Sequence, residues 1–275
     1  MPTKADIPTD PEEIKEAMKI PQQQAVGHLQ YLQNTLFPEL SYSVKIASKF
    51  NKSPCQAAWK WIKDIFKWLA AEQWEPYVIK GGDWKQLRVR AWSDADHAKD
   101  VDNRRSIGGS VIMLWDDLID YGSFTQPIVS HSTPESELMA LDLCVRRVQY
   151  ALWIIEAMGG PVLKLVPVYC DCATTINWSG GSPFAPGRNC HLHARFFYVK
   201  DINGKVVQIL KVDSALNLAD LMVTFKDSRN FYTLCKMIKG GGTPAIRNGG
   251  EVDKKVAAKV TVAKSDTKVA KAKKN

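Results

Sequence analysis

Residues 87–92, Leu-Arg-Val-Arg-Ala-Trp, alternate apolar and basic positions and run into Ser93-Asp94-Ala95-Asp96. That is the period of a half-buried strand ending on carboxylates. Residues 106–114 (SIGGSVIML) read as a second strand, and a third is expected around 118–124. The pattern then switches to a helical period in STPESELMALDLCVRRVQYALWIIEAM. Ser132 or Thr133 can cap this helix, Pro134 fits its first turn, and Leu138, Leu141, Val145, Val148, Leu152 and Ile155 form its buried stripe. LVPVYCDC (165–172) and VVQILKV (206–212) predict a fourth and a fifth strand. A last helix is expected over 219–238, with a break near Lys226-Asp227.

Upstream, residues 22–72 predict helices divided at Pro38 and Pro54. Ala58-Trp59, Ile62, Ile65-Phe66 and Leu69 fall on one helical face, opposite Lys60, Lys63 and Lys67, with Trp61 and Trp68 at the edge between them. A Trp-rich basic helix could touch nucleic acid, but such a stripe is more often core packing, and packing is the favoured reading. Gly81-Gly82 marks a break, and GGGTPAIRNGG (240–250) reads as a flexible linker. The expected organisation is an N-terminal extension (1–20), a helical connecting segment (21–82), a mixed α/β domain (83–239), the linker, and a tail (251–275).

Composition is globular, with 275 residues, 45% of them hydrophobic and 24% charged. No apolar run reaches the ~20 residues that span a bilayer, so no membrane partner is expected. The first twenty residues are too acidic for a secretory signal. Six cysteines without a CxxC pair suit a reducing, intracellular compartment, whether cytoplasm, nucleus or an organelle. The net charge of +8 is concentrated in the tail: Lys254, Lys255, Lys259, Lys264, Lys268, Lys271, Lys273 and Lys274 stand against three acids. A Lys/Ala/Val tail without aromatics cannot form a core and is expected to be disordered alone. It could serve as a phosphate-binding arm or simply as a solvated tail. Arg104 and Arg105, after the first strand, are further candidates for nucleic-acid contact.

Four acids fall at element ends: Asp94 after the first strand, Glu137 in the first turn of the long helix, Asp171 after the fourth strand, and Asp220 opening the last helix. Singly, each has an innocent role as a turn residue, a cap or a partner of the helix dipole. Strand parity sharpens the case. Asp171 shares a face with Tyr169, while Cys170 points with Val166 and Val168 to the core; Asp94 lies opposite Leu87, Val89 and Ala91. Both aspartates should leave the hydrophobic side, at ends that become adjacent if the strands pair in parallel. Clustered carboxylates repel one another unless a cation neutralises them. Oxygen-only ligands favour two Mg²⁺ or Mn²⁺ ions, which ~4 Å apart can activate water on a phosphodiester. Cys170, Cys172, Cys190, His191 and His193 offer a zinc alternative, but their spacing matches no common site. A P-loop lysine is missing from IGGS, and no small-molecule cofactor is indicated.

WSDADHAKDVDNRRSIGGSVIML, STPESELMAL, VYCDCATTINW and LNLADLM resemble, in order, the motif segments of the ribonuclease H region of copia-type retrotransposon Pol polyproteins. PELSYSVKIASKFNKSPCQAAWKWIKDIFKWL resembles the stretch that joins reverse transcriptase to that region, and the likeness covers about residues 11–238. The resemblance implies an α/β ribonuclease H-like fold: a five-stranded mixed sheet flanked by helices, preceded by a helical segment and followed by a basic tail. It implies catalytic and metal-ligating roles for Asp94, Glu137, Asp171 and Asp220, with Mg²⁺ or Mn²⁺ as cofactor. Glu137 is preferred over Glu135, and Asp96 reads as a turn residue. The implied activity is hydrolysis of the RNA strand of RNA/DNA hybrids. Departures point elsewhere. The family's lysine-rich Trp-Lys-Ser-Lys-Lys-Gln becomes YGSFTQ (121–126), and the Lys-rich tail has no counterpart. These favour an alternative, a non-catalytic RNA-binding subunit retained in a large ribonucleoprotein such as an organellar ribosome. A truncated element copy without a role is a third reading. The paired aspartates of a polymerase palm are not found.

Overall fold

Three antiparallel strands lead the sheet; a ten-residue polar segment (97–106) joins the first two, and the turn Trp115-Asp116 joins the second to the third. A computed structural model describes residues 1–71, 77–181, 193–225 and 228–240. Strands β1 (Val89–Asp96), β2 (Ile107–Leu114) and β3 (Asp117–Thr125) form a meander; β4 (Val166–Cys170) and β5 (Val207–Lys211) add in parallel on the other side of β1. The order β3-β2-β1-β4-β5 makes a five-stranded mixed sheet flanked by helices, the expected ribonuclease H-like fold.

Helix α5 (Thr133–Ala157) crosses one face, with Ser132 at its N-cap. Its stripe Leu138, Leu141, Val145, Val148 and Ile155 is buried against Val89, Ala91, Ile112 and Val168, with Leu152 packed at the edge. Each such aliphatic side chain contributes roughly 1.5–3 kcal/mol on burial, so packing rather than helix propensity holds α5. Arg147 locks it to the meander, donating to Ser110 Oγ at 2.6 Å, Asp120 Oδ1 at 2.6 Å and the Tyr121 carbonyl at 3.0 Å. Helices α6 (Ala173–Ser179) and α7 (His193–Ile202) follow β4; Phe196, Val199 and Ile202 of α7 join the α5 core.

The opposite face is not solvated. Trp92, Val111, Met113 and Tyr169 form a second core with the 3₁₀ turn Leu218–Met222 and helix α8 (Ser228–Ile238). The expectation that Asp94 and Asp171 leave a single hydrophobic side is therefore corrected: alternation separates two buried faces here, since both sides carry helical cover.

The connecting segment forms α2 (Gln22–Thr35), α3 (Ser41–Ser48) and α4 (Gln56–Ala71), preceded by a short α1 (Pro11–Ala17). Val26, Leu29, Leu40, Val44, Ala47, Ile62 and Ile65 make its core. Trp61 and Trp68 pack on Phe225 and Phe231 at ring distances of 5.1 and 6.0 Å, which supports the packing reading of that helix. Tyr42 and Ile46 meet Ile107 and Val223, and buried Glu39 pairs with Lys239 at 2.7 Å. The linker and tail, including Lys254 to Lys274, lie outside the described residues.

Candidate active site

Parallel pairing of Ala91 with Val168 and Trp92 with Tyr169 brings Asp94 level with Asp171, two residues further along each chain. Strands paired this way lie ~4.8 Å apart. β1 does not stop at Asp94, as the sequence suggested, but continues to Asp96, which pairs with Ile107. Asp96 is thus a strand residue rather than a turn residue, buried and bridged to Lys99 at 3.0 Å. The reason is β2: its eight residues extend the antiparallel ladder to Ile107 and carry β1 with it.

Glu137 comes from the α5 side. It lies one residue beyond the first turn, which Glu135 occupies; Glu135 accepts from the His131 backbone N–H at 2.6 Å and serves the helix start. Glu137 is 4% exposed and accepts from the Ala95 backbone N–H. Burial first, then the charges of Asp94 and Asp171, push its carboxyl well above the usual carboxylate range. Asp94 and Asp171 are thus both near enough to Glu137, at the carboxyl end of β1 and β4, to repel its charge. The Glu137 carboxylate, the Cys170 thiol and the Asp171 carboxylate lie within 4.8 Å of one another. Ser214 Oγ donates to Asp171 Oδ2 at 2.7 Å.

Asp220 does not open the last helix. It sits in the separate 3₁₀ turn Leu218–Met222, and α8 begins only at Ser228. Asn217 caps the start of that turn: its side-chain oxygen accepts from Ala219 N–H (3.3 Å), and its amide nitrogen donates to the Ser93 carbonyl (3.1 Å). Gly109, opposite Asp94 in the ladder, lets the turn settle on β2; a Cβ there would lie 2.7 Å from the Ala219 carbonyl oxygen and 2.7 Å from Met222 Cβ. Asp220 is buried and is held beside β1 and β2 on the face that carries Asp94. Neither it nor Asp94 is among the three residues whose ligand atoms lie within 4.8 Å of one another.

Arg104 and Arg105 are exposed on the loop after β1, with Arg104 in the left-handed region at φ +57°. Cys190 and His191 lie outside the described residues. Sequence reading missed Cys170 as a neighbour of Glu137, and Asn217 and Gly109 as the parts that seat the Asp220 turn. The only signals were adjacency: Cys170 precedes Asp171, and Asn217 stands three residues before Asp220.

The donor set fits a divalent cation. Two carboxylates that repel one another, Glu137 buried and Asp171 partly buried, would be relieved by a cation that they could hold with Cys170 beside them.

A mixed five-stranded sheet with carboxylates at the ends of β1 and β4 defines a ribonuclease H-like fold. No protein-family model matches the chain. It is 28% identical over 239 residues to the retrovirus-related Pol polyprotein of transposon TNT 1-94 from Nicotiana tabacum, covering 86% of this chain and 18% of that one. A secreted RxLR effector protein (161) of Plasmopara viticola is 31% identical over 49% of this chain and 92% of its own. Ribonuclease H1 of Halobacterium salinarum superposes with a TM-score of 0.35 at 18% identity, over 50% of this chain and 94% of that structure. Homologues of the chain include copia-type retrotransposon Pol polyproteins, and its fold is consistent with their ribonuclease H region. The chain spans less than a fifth of the length of the Pol polyproteins it matches.

Proposed function

We propose that this protein is a metal-dependent endonuclease that hydrolyses the RNA strand of RNA/DNA hybrids, with Asp94, Glu137, Asp171 and Asp220 as its catalytic and metal-holding carboxylates. The observation that carries the reading is Glu137, buried and facing both Asp94 and Asp171 across the β1–β4 end. Two Mg²⁺ or Mn²⁺ ions, when bound, would supply an activated water and stabilisation of the leaving 3′-oxygen. Asp94 is held rigidly by the β1–β2 ladder. Glu137 is anchored by the Ala95 N–H, and Asp171 is oriented by Ser214. Asp220 arrives on a turn anchored to β1 through Asn217. Arg104 and Arg105 are free to meet a phosphate backbone, while recognition of the hybrid would rely on 2′-hydroxyls and duplex shape.

The test is incubation of the purified protein with a labelled RNA/DNA hybrid and Mg²⁺, beside Asp94→Asn and Glu137→Gln. Cleavage confined to the RNA strand and lost in both variants supports the reading. A folded protein that cuts nothing with Mg²⁺ or Mn²⁺ sinks it and leaves the RNA-binding scaffold, to be sought through binding of structured RNA that depends on residues 251–275.

A further inference from the structure

Residues 135–142 of α5 are buried on every side, but its last turns are not. The stretch 150–158 (YALWIIEAM) carries a single charge, Glu156, and a helix end that is apolar all round is ordinarily buried all round. Here Ile155 alone is buried, with Leu152 packed at the edge of the core. Tyr150 is 63% exposed, Trp153 65%, Ile154 44% and Met158 68%. Alternating four- and three-residue steps set Arg146, Tyr150, Trp153 and Ala157 in one row, opposite the buried Val148 and Ile155. Among the described residues this row is bordered by α7, where the Tyr198 hydroxyl donates to Gln149, and is not covered. An aromatic side chain covers about 150–250 Å² when buried, so Tyr150 and Trp153 leave roughly 250 Å² in water between them. Ile154 and Met158 extend the patch towards the largest that ordinary monomers expose, a size that is commonly functional.

We infer that this face binds a second copy of the chain, α5 against α5, antiparallel about a two-fold axis between Tyr150 and Trp153. Charge placement selects that occupant. Arg146 is the cation at the N-terminal end of the row, and Glu156 is the exposed anion near its C-terminal end. Asp142 holds Arg146 at 2.9 Å but is shared with Arg195 at 3.9 Å, so the two arginines keep a net positive charge, and the Arg146 side chain stays 52% exposed. An antiparallel copy sets Arg146 opposite the partner's Glu156, and the two-fold axis repeats the pair. Arg146 then also faces the negative end of the partner's helix dipole. A parallel copy would put like charge against like. The same axis stacks Tyr150 on the partner's Trp153, and Trp153 on the partner's Tyr150, which places an aromatic cluster at the centre of the contact. With Arg146, Gln149, Glu156 and Ala157 as its rim, the patch approaches the ~800 Å² per partner that a specific interface takes. Glu137 lies well before the axis on each helix. At a rise of about 1.5 Å per residue, the two carboxylate clusters would stand roughly 45 Å apart along the paired helices, both open.

Sedimentation velocity of the full chain tests this, after nuclease treatment to remove nucleic acid that the lysine-rich tail could bridge. The wild type is expected to form a dimer at about 50 µM chain. Trp153→Glu sets two like charges at the axis and should weaken association by about 30-fold or more. Circular dichroism checks that this substitution, at an exposed position, leaves the fold intact. Arg146→Glu and Glu156→Arg should each weaken the dimer, and the double reversal should restore it, because the axis exchanges their roles. A wild type that is monomeric at that concentration overturns the inference. So does a dimer unmoved by Trp153→Glu, or a double reversal that associates no better than either single variant. A monomer that dimerises once residues 251–275 are removed also overturns it, by showing that the tail covers this face instead.

Discussion

The side-chain amide of Asn217 donates to the Ser93 carbonyl at 3.1 Å, tying the turn that carries Asp220 to the strand residue next to Asp94. Both groups are fully buried, so this bond cannot be replaced by water. Asn217→Ala removes it and the cap to Ala219 together, leaving the Ser93 carbonyl unsatisfied. A loss of about 1–3 kcal/mol is expected in urea unfolding. Mn²⁺ affinity should fall in the same variant, since Asp220 loses its anchor; unaltered affinity would argue that Asp220 does not serve the cage.

Glu137 makes a prediction whose sign runs against ordinary active-site mutagenesis. Its folded-state pKa is raised above the usual 4.5 by burial and by Asp94 and Asp171. The folded state therefore keeps a proton that the unfolded chain has released, and stability contributed below 4.5 is lost as pH rises towards the folded value. In chelator at neutral pH, Glu137→Gln should raise the melting temperature while abolishing hybrid cleavage. Adding Mg²⁺ should narrow the difference by stabilising the wild type. A destabilised Gln variant in chelator would contradict the repulsion argument.

Lys45 gives the opposite pH slope. Half-buried on α3 with its ammonium 3.5 Å from the Ser123 carbonyl, it is desolvated and further repelled by Lys49, with Asp100 opposing; its pKa is pushed down to about 8 from 10.5. Between those values the unfolded chain binds the extra proton, so stability should rise with pH over that window. Lys45→Met should raise the melting temperature at pH 7 and flatten its rise from pH 8 to 10.5. Equal slopes in both proteins would remove Lys45 as the cause.

Glu39, in the 3₁₀ turn before α3, pairs with Lys239 just past α8, and both are largely buried. Removing one partner strands the other charge: Lys239→Met is expected to cost about 3–5 kcal/mol, whereas Glu39→Leu with Lys239→Met should approach neutrality. A single cooperative unfolding transition in the wild type, lost in Lys239→Met, would show that the helical segment and the sheet fold together.

Periodicity alone located the five strands and the long helix, because burial on a sheet or a helix stripe writes itself into the chain every second or every third to fourth residue. Leu138 to Ile155 and the alternation through Val89 and Ala91 are legible for that reason, as is the alignment of Asp94 with Asp171 once parallel pairing is assumed. The family motifs placed the four carboxylates in order. What the chain could not state locally were relations between segments far apart in sequence. Asp96 belongs to β1 because β2 extends the ladder to Ile107. Asp220 sits against β1 and β2 because Asn217 answers a carbonyl 124 residues away and Gly109 clears the space. Trp92 and Tyr169 face a second core because α8 and its preceding turn cover that side. Cys170 meets Glu137 because α5 is packed over β4, a contact set by tertiary burial and by no spacing along the chain.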